Sequence, residues 1–460
     1  MSGWAGGGNH SVDDVSFRYS DGPALLLHGN YSTVSNSEFE WNDWTSVGGV
    51  RPADSLTTKK ADDAKTIRCT GDGLTLRRLS FSNNGAAQSA NAMGHDPAYP
   101  APLVELCHFQ SQLAMQDDGS FIEGGGSVST EYRRNWCTNT GKAGLRWDNY
   151  YPHTGRLRGG VMAENVVWNA SGVIVKGDNH NVSYNTIFDG ADIPDTNPFH
   201  DRPRYQDASS FLGNASIASI LIGAGTKEFT PLADANTVVE RNLVDSVQIS
   251  VPNGGFPNTL SAALEPSLVA ARKKPQRRPA CDPWATAHAG EAEPCPPPGT
   301  YSGNLALQNE SFDIRRELRD PFHLDFRPCP RSRAAAMGVG AYHLQAAGGE
   351  TSYWIPGRQL RTKVSTPIPP DGAVEVKLDA DLMFLPMRGA VAHRVYLGRD
   401  LASLTLVGTL FGDANVVNTA GRLVGGTAHV WRVDAVSATD TLVTGAMWAF
   451  RTGHDTSCGP

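Results

Sequence analysis

Six stretches of this chain share one architecture without sharing letters. Each reads as a short apolar strand, a small polar residue, a second strand and a turn. They are VDDVSFRYSDG (11–21), VSNSEFEWND (34–43), LRRLSFSNNG (76–85), YRRNWCTNTG (132–141), AENVVWNASG (163–172) and VSYNTIFDG (182–190). ELCHFQSQ (105–112) and VERNLVDS (239–246) fit more loosely. Aligned, they place Ser16, Ser37, Ser80, Cys107, Asn135, Asn165, Asn185 and Asn242 in one column. Inexact recurrence every few tens of residues is the signature of a solenoid, in which no turn closes a core alone and each must stack on its neighbours. A small or amide residue suits a tight inward corner, where an asparagine can satisfy backbone groups and bond to the asparagine above it.

Successive markers lie 21, 43, 27, 28, 30, 20 and 57 residues apart. Steps of 20–30 suit one coil of a parallel β-solenoid. The steps of 43 and 57 read as a coil plus a long loop, or as more than one coil. On these motifs the chain resembles the right-handed parallel β-helix proteins of the pectate-lyase-like superfamily over roughly residues 10–345. The expected fold class is therefore all-β: a right-handed parallel β-helix followed by a small antiparallel β-sandwich. The resemblance bears on fold far more than on activity.

Residues 10–250 carry the clear coils. Residues 251–303 are rich in Pro, Ala and Gly and read as a long excursion. DPFHLDFRPCPRSRAAAMGVGAYHL (320–344) resembles the closing coil of many β-helix proteins, although Gly338-Val339-Gly340-Ala341-Tyr342 lacks that ending's acidic residues. The expected division is a β-helix at 1–348, a Pro-rich linker at 349–370 and a second module at 371–460. In the second module VEVKLDADLMFL, HRVYLGRD, LTLVGTLF, AHVWRVDAV and MWAFRTG are short alternating strands at close spacing, the pattern of a β-sandwich. They resemble the fibronectin type III-like modules appended to secreted carbohydrate-active and surface proteins. Trp431 and Tyr396 are expected in its core, and a spacer role without a ligand is the simpler reading of the module.

Forty-eight glycines and 29 prolines argue for many turns and few helices. The net charge of −7 argues against a nucleic-acid partner. The basic run at 272–278 reads as a solvated loop. No stretch of 18 apolar residues is present, so no membrane span is expected. The chain opens MSGWAGGGNH, with neither a charged n-region nor an apolar h-region. An export signal and earlier coils are therefore expected to be missing from this sequence. Six Asn-x-Ser sequons, at Asn9, Asn30, Asn169, Asn181, Asn214 and Asn309, are candidate glycosylation sites and lend mild support to a secreted, extracellular or cell-surface protein. Of seven cysteines, Cys281 and Cys295 flank a Pro-rich loop that a disulfide would close, and Cys69 reads as a buried thiol.

A second register carries the candidate chemistry. ALLLHGN (24–30), TIRCTGD (66–72), SFIEGGG (120–126), GLRWDN (144–149) and GVIVKGD (172–178) align as strands. Leu25/Leu27, Ile67/Cys69, Ile122, Leu145/Trp147 and Val173/Val175 then face inward. Alternation turns His28, Thr70, Glu123, Asp148 and Lys176 outward in one column, with Arg68 and Arg146 in the next beside Phe121 and Ile174. Glu123, Arg146, Asp148 and Lys176 are the candidate catalytic residues. Arg68, His28, His153, His180 and Tyr150 are candidate substrate contacts, the last three on loops. Stacked opposite charges that merely solvate an exposed sheet are the competing reading. Asp117 and Asp118 are candidate ligands for Ca²⁺, the one cofactor considered, against a plain turn-forming DDG.

Three functions remain open. The first is β-elimination of a uronic-acid polysaccharide. It needs a cation on the sugar carboxylate, a base for the C5 proton and an acid for the leaving oxygen. Arg146 or Arg68 fits the first role, Lys176 the second and His153 or His180 the third. The polysaccharide-lyase branch that the chain resembles uses Lys and Arg in this way, often with Ca²⁺. The second is glycoside hydrolysis by a Glu/Asp pair, Glu123 with Asp148 or Asp117 with Asp118. The third is a non-catalytic extracellular rod that binds a cell-surface glycan or assembly partners.

Overall fold

Each coil turns its first corner through a residue in the left-handed region, followed by a residue that points into the solenoid. The corner residues are Asp14, Asn36, Arg78, Leu106, Arg134, Glu164, Tyr184, Arg241 and Gly303, with φ between 49° and 63°. Only the last is glycine, so each of the others bears the crowding of its Cβ against the backbone. What holds them there is the residue that follows. The computed structural model describes residues 7–20, 22–42, 65–85, 88–94, 96, 98–111, 120–126, 130–139, 143–148, 159–170, 172–176, 179–188, 220–222, 237–244, 247–249, 300–306, 314–345, 349–456 and 458.

The inward corner residues form a ladder of amides. Asn135 N and Nδ2 both donate to Asn165 Oδ1 at 3.0 Å. Asn165 does the same to Asn185, Asn185 to Asn242 and Asn242 to Asn304. Each Nδ2 also donates to a backbone carbonyl of the coil before, as Asn165 does to Tyr132 O at 2.9 Å. Cys107 N donates to Asn135 Oδ1, and Val15 N to Ser37 Oγ. Ser16 and Ser80 do not belong to this column. They stand one residue later, both in register with Glu38, and the corner positions of their coils are Val15 and Leu79. A second, shorter ladder runs through Asn42 and Asn84 at the next corner.

Between corners, every strand pairs in parallel with its counterpart on the next coil. Among the described residues the solenoid has two nine-stranded sheets and one of eight strands. The first runs from Ser11–Asp13 to Thr300–Ser302, the second from Ser16–Arg18 to Leu305–Ala306, and the third from Leu25–His28 to Val247–Ile249. Identical register on successive coils stacks like on like. Phe17, Phe39, Phe81 and Phe109 form a column of rings with centroids 4.9, 4.8 and 4.6 Å apart. Cys137, Val167 and Ile187 continue it. The first sheet contributes Val34, Leu76, Val104, Tyr132, Met162, Val182 and Val239 to the same core.

The third sheet contains a strand that the repeat pattern passes over. Gln88–Gly94 (QSANAMG) lies between Lys65–Thr70 and Ser120–Gly126. Its inward residues are Ala90 and Ala92, both fully buried. Across the next coils the interior here fills with Ile122, Leu145, Trp147, Val173 and Val175. Gly124 leaves room for Tyr132 and Thr130: a Cβ there would strike Tyr132 Oη and Thr130 Oγ1.

Contacts divide the chain into Met1–Ser311 and Phe312–Pro460. The second unit contains a three-stranded sheet (Ser365–Ile368, Leu382–Leu385, Val416–Val417) and a larger sheet built on Ala390–Gly398, Thr405–Phe411, Ala428–Ser437 and Met447–Thr452. These pairs are antiparallel, and Ala373–Val376 joins the larger sheet in parallel beside Met447–Thr452. Trp431 is fully buried in this core, with its ring 4.8 Å from that of Trp448. Tyr396 is not a core residue. It is half-buried, with the Arg432 guanidinium 5.0 Å from its ring centre.

The segment that resembles a closing coil belongs to this second unit. Leu318–Asp320 pairs antiparallel with Asp325–Pro328, outside the three stacked sheets. Arg327 anchors it: this buried guanidinium pairs with Asp325 at 2.5 Å and with Asp381 at 2.9 Å. Tyr353 is held by Asn415, whose Nδ2 donates to the carbonyls of both Tyr353 and Phe384. Cys329 forms a disulfide with Cys458. The proposed partners Cys281 and Cys295 lie outside the described residues.

Candidate functional site

The third sheet holds the backbone positions of Arg68, Glu123, Arg146, Asp148 and Lys176 on its stacked strands. Ala90 and Ala92, Ile122, Leu145 and Trp147 are buried in the core, so the residues between them on these strands face outward. Register then fixes two columns. One runs Leu26, Arg68, Asn91, Glu123, Arg146, Ile174. The other runs His28, Thr70, Met93, Gly125, Asp148, Lys176.

Two placements differ from expectation. Glu123 stands in register with Arg146, two residues short of the Asp148 column. The cause is length: Ser120–Gly126 continues three residues past Glu123, and Gly125 takes the place opposite Asp148. Phe121 turns inward instead of outward, and its ring lies 5.9 Å from that of Phe109.

Four polar side chains, Arg68, Asn91, Glu123 and Arg146, thus occupy one outward register on four successive coils, each step ~4.8 Å. Lys176 lies one coil beyond Arg146 and two residues along the strand, a backbone diagonal of roughly 8 Å. Outward does not mean solvated here. Arg146 is 4% exposed and Asn91 is fully buried, while Arg68 and Glu123 are half-buried. Arg68, Glu123 and Arg146 are all engaged in interactions with neighbouring groups. Asn91 Nδ2 donates to Glu123 O at 3.2 Å, and among the described residues Asn91 Oδ1 has no hydrogen-bond partner. In the neighbouring column His28 is exposed and its Nδ1 is bonded to Thr70 Oγ1.

His180 is not on a groove-facing loop. It is buried at an inward corner, where its Nδ1 accepts from Gly160 N at 3.0 Å and its ring stacks 4.3 Å from Trp147. Tyr150, His153, Asp117 and Asp118 lie outside the described residues. Among the described residues no group of three or more His, Cys, Asp or Glu is arranged to hold a metal. Of the sequons, Asn9 and Asn30 are exposed, Asn169 and Asn181 are half-buried, and Asn214 and Asn309 lie outside the described residues. Asn169 Nδ2, the atom a glycan would take, donates to Asn139 Oδ1.

Sequence reasoning missed two features of the outer surface. Asn91 sits on the strand that the repeat passes over. The second sheet also turns aromatic residues outward on consecutive coils, Trp136, Trp168 and Phe188, and all are buried. The signal was present as apolar residues at both parities of the strand in NWCTN and NVVWN. Next to Trp136, burial lowers the His108 pKa to about 4. No protein-family model, curated protein or solved structure matches the chain.

Proposed function

We propose that this chain is a secreted β-helix protein of the pectate-lyase-like kind, with a fibronectin type III-like module. It holds and cleaves an acidic polysaccharide on the outer face of the third sheet. The supporting observation is the register that puts Arg68 and Arg146 in one column and Lys176 one coil and two residues from Arg146. A pyranose residue is about as long as a coil step, so a polymer lying along the solenoid meets each cation in turn.

In this reading Arg146 binds the C6 carboxylate and draws off its charge, which makes the C5 proton acidic. Lys176, neutral when it acts, removes that proton. The electron pair forms the C4–C5 double bond, and the C4–O bond breaks. The leaving oxygen takes a proton from His153, the remaining candidate once His180 is placed in the interior. Glu123 sits beside Arg146 in register and orients its guanidinium.

The test is incubation of the full chain with a panel of acidic polysaccharides, read by the ultraviolet absorbance of the new double bond. Lys176→Ala should lower turnover by ~10²–10⁴-fold with the fold intact. Lys176→Arg should fail to restore it, because Arg stays protonated. New reducing ends without absorbance would replace elimination by hydrolysis at Glu123 and Asp148. Binding without cleavage would leave a glycan-binding rod.

A further inference from the structure

The larger sheet of the second unit ends on Thr405–Phe411, whose strand neighbour is Ala390–Gly398. Gly412 N donates to Val391 O at 3.1 Å. Alternation along an antiparallel pair then turns the Leu410 N–H toward Ala390–Gly398 and the N–H groups of Thr409 and Phe411 away from it. Such an outer row of backbone groups is a template for another strand. Apolar side chains line it. Leu406 is 53% exposed and Phe411 72%. Val391, bonded to Gly412, and Leu401, in the turn before the strand, are exposed as well.

The other edges of this sheet and of the three-stranded one are blunted. Ser365–Ile368 contains Pro367 and the left-handed Thr366. Ala373–Val376 contains Glu375, left-handed where the register shifts. Val416–Val417 and Leu442–Val443 are two residues each. Thr405–Phe411 (TLVGTLF) has seven residues with neither charge nor proline. Its one irregularity, the extra Val407, precedes Thr409.

We propose that Thr405–Phe411 is a homodimerisation edge, pairing antiparallel with the same strand of a second copy of this chain. A two-fold axis at Thr409 lets the two Thr409 residues exchange both backbone bonds, and it sets Phe411 opposite Val407 of the other copy. The uncharged strand meets no charge in its copy, and the charges at its ends match. Asp413 follows the strand and Arg399 stands in the turn before it, both exposed. Antiparallel pairing brings the end of each strand to the beginning of the other, so Asp413 of each copy approaches Arg399 of the other. Asp400, the second charge of that turn, is held by its own Ser403 N at 2.8 Å. The strand is ~24 Å long, too narrow a strip for a standard-sized interface, so the dimer is weak and concentration-dependent. This pairing is independent of the glycan reading.

The test is sedimentation equilibrium of the full oxidised chain from ~1 μM to ~1 mM, where a weak interface of this kind should show monomer and dimer exchanging. Thr409→Pro removes an N–H that Ala390–Gly398 does not use, and should weaken association about tenfold or more with an unchanged melting temperature. Should that variant fail to fold, Phe411→Lys, at an exposed position, carries the same expectation. Asp413→Arg should also weaken the dimer, and adding Arg399→Asp should restore it. A chain that stays monomeric at ~1 mM overturns the proposal and leaves the edge to a strand of another protein or to solvent. Association that Thr409→Pro and Phe411→Lys both leave unchanged overturns it as well, because the contact then lies elsewhere. Asp413→Arg without effect, or a charge exchange that restores nothing, overturns the two-fold arrangement.

Discussion

Asn165 shows how much one side chain does in this solenoid. Its Oδ1 accepts from both Asn135 N and Asn135 Nδ2. Its Nδ2 reaches Tyr132 O and Asn185 Oδ1. It follows Glu164, whose φ of 57° puts an ordinary L-residue in a left-handed corner. The amide thus satisfies backbone groups that the corner removes from the sheet ladders, and it bridges the coils on either side. Asn165→Ala leaves Asn135 N and Tyr132 O buried without partners, at roughly 1–3 kcal/mol for each. We expect a loss of about 2–6 kcal/mol in the solenoid's denaturation free energy, measured with urea and far-ultraviolet circular dichroism. Asn165→Asp should also be harmful, because a carboxylate cannot donate to Tyr132 O. A midpoint unchanged in both variants would mean that the ladder contributes nothing to stability. The asparagines were readable in the sequence because the amide recurs in Asn135, Asn165, Asn185 and Asn242. Ser16 and Ser80 were misplaced by one residue because Val15 and Leu79 occupy the corner without looking like corner residues.

At the scale of elements, legibility followed side-chain size. Strands with large inward residues, such as Ile67/Cys69 and Leu145/Trp147, stand where the repeat put them. Gln88–Gly94 fills its share of the core with Ala90 and Ala92, so it shows no apolar alternation. Passing over it removed one strand from the outward column of the third sheet and hid Asn91. The length of Ser120–Gly126 then shifted Glu123 by two residues relative to Asp148. Alternation along a strand is legible, but register across coils of unequal length is not, because loops of any length are compatible with the same stack. In the second unit the period-two pattern of AHVWRVDAV correctly buried Trp431, where it packs against Trp448. Trp431→Ala should cost ~3–5 kcal/mol in unfolding of this unit through the cavity left behind. If the Trp448 fluorescence transition did not move, Trp431 would not be part of the core.

At the scale of the whole molecule the cysteines report on both units. Cys69, Cys107 and Cys137 are buried free thiols inside the solenoid, and burial pushes the first two pKa values up to about 12. A thiol held protonated in an apolar interior is a poor nucleophile, so these should alkylate only after unfolding. Cys329 and Cys458 are oxidised, 129 residues apart, and their bond closes a loop through most of the second unit. That loop was not legible in the sequence. Cys329 lies in the segment resembling a closing coil and Cys458 sits near the last residue, so nothing local pairs them. A bond that closes a loop of this length restricts the unfolded chain, and the loop-entropy argument puts its contribution at about 4–5 kcal/mol. Replacing both cysteines with serine should lower the denaturation free energy of the second unit by roughly 3–5 kcal/mol. Reductant should bring the wild type to the same value and leave the serine variant unmoved. Peptide mapping of the oxidised protein should recover Cys329 linked to Cys458. Persistence of such a bond favours an oxidising compartment, in keeping with the proposed secretion. If the native protein instead yields both cysteines as free thiols and reductant changes nothing, neither the cross-link nor its support for export stands.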